Sequence, residues 1–256
     1  MFALVLTFFL PAQDPEPAPP APPAAAPAAA PAAAPATAPK VEPWDDKTAK
    51  AAADEFTKLM KGTPSMAEKN QLLERLSTGS NKLLLKPLAQ LVENDKSLVI
   101  RKRAAELIAN QPAGDANGQI LKLLKSPKVG PQHTVMGVLV RGLSRCGYAS
   151  KQWSEIEDLF EREYDLERVP LQEAILELVT VHKEKQAIEM LLRNLDEPIP
   201  ADVQGQHNPP AAYWEARWKS WAIWKGKVAD AVFAVTGQRF SKAAEAEAWL
   251  KKNPLK

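Results

Sequence analysis

The sequence predicts an all-α chain built as a right-handed α-solenoid of stacked helical hairpins, closed by a Trp-rich helical cap. Three observations carry that expectation. Apolar residues recur at helical spacing from residue 44 onward, with Gly, Pro, Asn and Asp at the breaks between runs. Second, equivalent apolar positions repeat: Ala104, Leu139 and Ala174 are separated by 35 residues at each step, as are Ala105, Val140 and Ile175, and Ile108, Leu143 and Leu178. Third, Leu91, Leu124 and Phe160 keep a looser spacing of 33 and 36, as expected where loops vary but each hairpin buries its stripe against the next.

Taken in order, Met1 to Leu10 is apolar except for Thr7 and is followed by Pro11-Ala12. The run is shorter than the ~20 residues needed to span a bilayer and suits the apolar region of a secretory signal, so residues 1–12 are expected to direct export. A buried first strand or helix is the alternative. Residues 13–43 are expected to form a disordered linker: AAAP occurs three times between 24 and 35, and 12 of the 23 prolines fall between 11 and 43. Proline removes helix hydrogen bonds and alanine offers little to bury.

Residues 44–198 read as the repeats. Asp45 or Asp46 caps a helix running to Met60, and Gly62-Thr63-Pro64 stops it; Ser65 starts a second, with Leu72, Leu73 and Leu76 inward. Leu83 to Val92 pairs with Leu98 to Ile108, and Ile120 to Leu124 with Val135 to Leu143. The stretch Val169 to Pro198 reads as two amphipathic helices joined by a short polar turn. Residues 199–256 form the cap. It begins with a proline-rich loop to Pro210 and continues into a helix placing Trp214, Trp218, Trp221 and Trp224 on one arc with Tyr213 at its edge. A separate helix is expected from Val228 to Val235, and a last one capped by Ser241.

Charge excludes some functions. With 33 basic and 31 acidic residues the net charge is +2, so neither nucleic acid nor an anionic membrane is indicated as the main partner; a membrane would be met only through an uncleaved N-terminus. A basic group from Lys96 to Lys128 and an acidic run from Glu155 to Glu167 read as solvated faces able to steer a polar partner. Cys146, the single cysteine, cannot form an internal disulfide and is expected in the core. His133, His182 and His207 lack ligand spacing, and no HExxH, DxDxDG, CxxC or Gly-rich phosphate loop occurs. Neither a catalytic constellation, a metal nor a cofactor is therefore expected.

The segment Ile100-Arg101-Lys102-Arg103-Ala104-Ala105-Glu106-Leu107-Ile108 resembles the second helix of a HEAT or armadillo-like repeat, where an apolar residue and Arg precede a pair of small residues. The resemblance covers roughly residues 64 to 198; the Arg position is Met136 in the next unit and Leu171 in the one after. The TGQRF segment and the AEAWLKKN that follows are similar to tails of exported bacterial HEAT-like proteins. This implies a non-enzymatic scaffold of the cell envelope that binds a protein or peptide along the inner face lined by second helices, which nominates Arg101, Arg103, Arg141 and Glu173 as partner-facing. The alternative is a glycan or cell-wall binding module using Tyr213, Trp214, Trp218, Trp221 and Trp224.

Overall fold

The computed structural model describes residues 41–200 and 208–255. Residues 1–12, expected to direct export, residues 13–40 of the expected linker, and residues 201–207 with His207 lie outside them. The described chain is all-α, with eleven α-helices: α1 Asp46–Met60, α2 Met66–Leu76, α3 Leu85–Asn94, α4 Leu98–Ile108, α5 Ala113–Leu124, α6 His133–Arg145, α7 Trp153–Glu161, α8 Val169–His182, α9 Ile188–Arg193, α10 Ala211–Thr236 and α11 Ala243–Lys252. The only strands among the described residues are β1, Glu42–Pro43, and β2, Gly79–Ser80, paired in parallel.

That pairing ties residues 42 and 43, expected in the linker, to the first helices. Glu42 N donates to Thr78 O (2.9 Å) and Trp44 N to Ser80 O (3.0 Å), while Asn81 Nδ2 donates to Trp44 O and to Asp46 Oδ1.

Helix starts follow local chemistry. The Asp45 carboxylate accepts from Thr48 N (2.7 Å). Ser65 and Glu68 exchange bonds in a capping box, and Ser97, held by Asp95 Oδ1, opens α4. Pro170 sits in the first turn of α8, where its missing N–H costs nothing. At the far end of α8, Lys183 adopts the left-handed conformation (φ 49°).

The helices form two layers. The even-numbered helices α2, α4, α6, α8 and α10 each pack on the next; α1, α3 and α5 do the same in the other layer, and α7 meets the turn leading into α9. Within pairs, α3 packs on α4, α5 on α6, α7 on α8 and α9 on α10. The positions found 35 residues apart are the seam: Ala104, Leu139 and Ala174, and likewise Ile108, Leu143 and Leu178, are all buried. Gly137 marks a close crossing of α6 on α8, since a Cβ there would stand 2.7 Å from Pro170 O.

Three expectations about elements are corrected. α10 is one helix of 26 residues with no break before Val228: a mid-helix Gly226 costs only about 1 kcal/mol relative to Ala, which burial of Val228, Ala231 and Val232 outweighs. α5 begins at Ala113, well before Ile120, because Gly114 and Gly118 hide a helix that Pro112 starts. Ser241 does not cap α11; its hydroxyl and N–H both donate to Glu245. Asp196 Oδ1 instead accepts from Ala243 N (3.1 Å).

Candidate functional site

A groove of about 760 Å³ lies between the α5–α6 connection and α7. Its floor is apolar, from the buried Leu124 of α5, Met136 of α6, and Ile156 and Leu159 of α7. Its rim is charged with both signs. Lys125 Nζ and Glu155 Oε1 pair at 2.8 Å, whereas Asp158 and Arg162 stand exposed on the last turns of α7 and beyond.

His133 and Arg168 also line the groove. Arg168 is 4% exposed; its Nη2 donates to Leu159 O (2.7 Å) and its Nη1 lies 3.1 Å from His133 Nε2. Arginine can only donate, so His133 Nε2 accepts and the proton of the neutral ring sits on Nδ1. That atom and Arg168 Nε are buried with no hydrogen-bond partner among the described residues. Burial first, and then the Arg168 charge, lower the His133 pKa, against smaller opposing effects of Glu167, Asp165 and Glu163. The pair therefore anchors the groove with a neutral imidazole.

The residues nominated on the second helices are distributed differently. Arg101 is a correction: it is 8% exposed, and its guanidinium donates to Val92 O (2.6 Å) and Lys128 O (2.8 Å), so it closes a helix end and cannot face a partner. Arg103 is half-buried and joins Asn70 and Glu74. Arg141 Nε donates to Glu177 Oε2 (2.6 Å), and Lys227 bridges Glu177 (2.7 Å) and Glu173 (3.6 Å). Burial works against ionised Glu177, but bonds from Arg141 and Lys227 outweigh it and hold its pKa below the ordinary carboxylate value. Arg141, Glu173, Glu177 and Lys227 thus form one network linking α6, α8 and α10, while Arg103 belongs to a separate junction of α2 with α4.

The tryptophan arc divides by depth. Trp224 is fully buried, edge-on to Phe160 at 5.4 Å, with Nε1 donating to Gln172 Oε1 (3.0 Å). As an exposed-site residue it is therefore a correction. Trp221 is half-buried and donates to Asn194 O (3.1 Å). Tyr213 and Trp214 are half-buried in a cluster with Tyr164 and Arg217, whose guanidinium lies 5.1 Å from the Tyr164 ring; burial pushes the Tyr164 phenol up to about 12. Only Trp218 is exposed, at 46%, with Nε1 donating to Glu197 Oε1.

One Ser–His contact invites a nucleophile reading. Ser144 Oγ is 2.9 Å from His182 Nε2, but the same Nε2 is 3.0 Å from Ser144 O. A carbonyl only accepts, so Nε2 carries the proton for that bond and offers no lone pair to the hydroxyl. Cys146 is buried as expected, its Sγ donating to Ala109 O (3.3 Å), and burial raises its pKa. Among the described residues no group of three or more His, Cys, Asp or Glu side chains converges as metal ligands, and no helix is long and apolar enough to cross a membrane.

The His133–Arg168 pair escaped sequence reasoning, although its separation of 35 residues equals the repeat spacing and was the signal available. Compared with protein-family models, curated proteins and solved structures, the chain matches none.

Proposed function

We propose that this chain is a non-enzymatic binding scaffold of the cell envelope, a right-handed solenoid of HEAT-like hairpins that holds a protein or peptide segment in the groove between the α5–α6 connection and α7. The observation that carries the reading is the bonding between successive pairs at close to one repeat of sequence: Gln152 with Asn117, His133 with Arg168, Arg141 with Glu177 and Tyr148 with Glu184 lie 35 or 36 residues apart. A stack of equivalent units held in this way offers an extended surface. An apolar floor under a rim carrying both charge signs suits a peptide with an apolar anchor and flanking charges. Export rests on the apolar segment 1–12 and the Pro/Ala-rich residues after it.

The test is crosslinking in envelope fractions, with the mature N-terminus sequenced. Partners captured by the wild type are expected to be lost in Asp158→Lys and Arg162→Glu, two exposed changes that leave the floor intact. An unchanged partner set in both variants removes the groove from consideration. A glycan-binding reading retains one supporting observation, the exposed Trp218 ring with Glu197 on its indole N–H; polysaccharide pull-down with Trp218→Ala tests it.

A further inference from the structure

The outer face of α10 is built for another helix. At about 100° per residue, Ser220, Trp224, Val228 and Ala231 form the face that packs inward; all four are buried. On the opposite side lie Trp218, Ala222, Gly226, Ala229 and Phe233, an apolar surface in which Trp218 and Phe233 are 46% and 42% exposed. Because α8 packs on the inward side, this outer surface occupies the place where a further helix of the even layer would stack.

Gly226 strengthens the point. No described residue lies within 4 Å of where its Cβ would be, so none of them requires a glycine there, and the helix-interior penalty of about 1 kcal/mol has no return among the described residues. A close helix crossing at Gly226 supplies one, since small residues let two backbones approach.

The pattern also identifies the occupant. Read in either direction from Gly226, the face runs from glycine to alanine (Ala222 or Ala229) to an aromatic ring (Trp218 or Phe233). It is therefore complementary to itself when the helices run antiparallel. The flanking charges select the same orientation. Glu215 and Lys219 lie toward the start of the helix, and Asp230, with Arg239 bound to it, toward the end. Antiparallel pairing sets Lys219 near Asp230 of a second copy and Glu215 near its Arg239, each opposite in sign, whereas a parallel pair would oppose like charges. We propose that a second copy of this chain packs on the outer face of α10, antiparallel, about a two-fold axis passing close to Gly226. This surface is separate from the groove and does not depend on what the groove binds.

Sedimentation equilibrium of the full chain tests the inference. The wild type is expected to show a concentration-dependent monomer–dimer equilibrium. Gly226→Leu, which improves helix propensity while filling the crossing, is expected to weaken association by about tenfold or more without lowering the monomer's thermal midpoint. Gly226→Cys is expected to give a disulfide-linked dimer under mild oxidation, because the two copies of that residue meet at the axis; Cys146 is buried and supplies no competing link. A wild type that fits a monomer at every loading concentration, a Gly226→Leu variant that dimerises as well as the wild type, or a Gly226→Cys variant that stays unlinked would each overturn it.

Discussion

Arg101 and Arg168 perform one task in two different units. Each is buried, and each donates to the main-chain carbonyl nine residues earlier, Arg101 Nε to Val92 O and Arg168 Nη2 to Leu159 O. Those carbonyls lie in the last turns of α3 and α7, where a helix has acceptors without intrahelical partners and a negative dipole end. Removing either guanidinium strands a buried carbonyl. Arg101→Met and Arg168→Met are each expected to lower unfolding free energy by about 2–4 kcal/mol, read as a shift in the urea midpoint. For Arg101 it follows that a charge reversal would act on folding, so lost binding in such a variant would say nothing of a partner-facing role.

The pairing of Arg168 with His133 makes stability depend on pH. The folded-state pKa of His133 is depressed from the ordinary 6.5, so between those two values the unfolded chain binds the additional proton. The contribution is therefore fully present above about pH 6.5 and is lost as pH falls from there toward the depressed value. The thermal midpoint of the wild type should drop between pH 7.5 and pH 5.5 more than that of His133→Gln, in which nothing titrates at this position. Parallel pH profiles for the two proteins would contradict a neutral, accepting imidazole.

Those two arginines also show where the sequence was legible. The helix pairs and their buried seam could be read because apolar periodicity survives at Ala104, Leu139 and Ala174, where packing tolerates little change. The buried arginine could not be followed: 35 residues at a time, Arg101 leads to Met136 and Leu171, whereas its role reappears at Arg168, one helical turn before Leu171. A long side chain reaches the same carbonyl from either turn, so role and register separate. The groove was less legible still, because its floor comes from stripes that look like ordinary core and its charged rim like ordinary surface. In the cap, the Trp arc predicted a helix that closes the stack, but which of its rings is buried and which exposed is decided by the position of α8.

Gly137 tests the α6–α8 crossing. With Pro170 O 2.7 Å from a built Cβ, alanine at 137 must push the two helices apart, although it favours helix formation by about 1 kcal/mol. Overpacking of about 1–3 kcal/mol outweighs that gain. Gly137→Ala is expected to lower Tm, and a raised Tm would show that the crossing relaxes freely.

Glu177 joins three helices, yet its carboxylate and its partners are more than a third exposed, so solvent screens them. A double-mutant cycle between Arg141→Ala and Glu177→Ala is expected to return a coupling under about 1 kcal/mol that shrinks in high salt. Its depressed pKa gives the sign on the acid side: the contribution is present above the ordinary carboxylate value of 4.5 and is lost as pH falls below it. A coupling that persists in high salt would mean that the network is drier than its exposure indicates.

Trp224 and Trp218 lie six residues apart on α10, about one and two-thirds turns, and their environments predict opposite behaviour. Trp224 fills the space against Phe160 and bonds to Gln172, which in turn donates to Phe160 O (3.2 Å). Trp224→Ala therefore creates a cavity and also leaves Gln172, itself fully buried, with an unpaired oxygen. The expected cost is about 3–5 kcal/mol. Trp224→Phe restores part of the volume but not the N–H, so it should recover only part of that loss. Trp218→Ala removes a ring that is nearly half exposed and is expected to cost under about 1 kcal/mol in the monomer. Tryptophan fluorescence reports the same division, with an aqueous quencher reducing the Trp218 contribution and leaving Trp224 dark to it; equal quenching in the wild type and Trp218→Ala would remove the exposed-ring assignment.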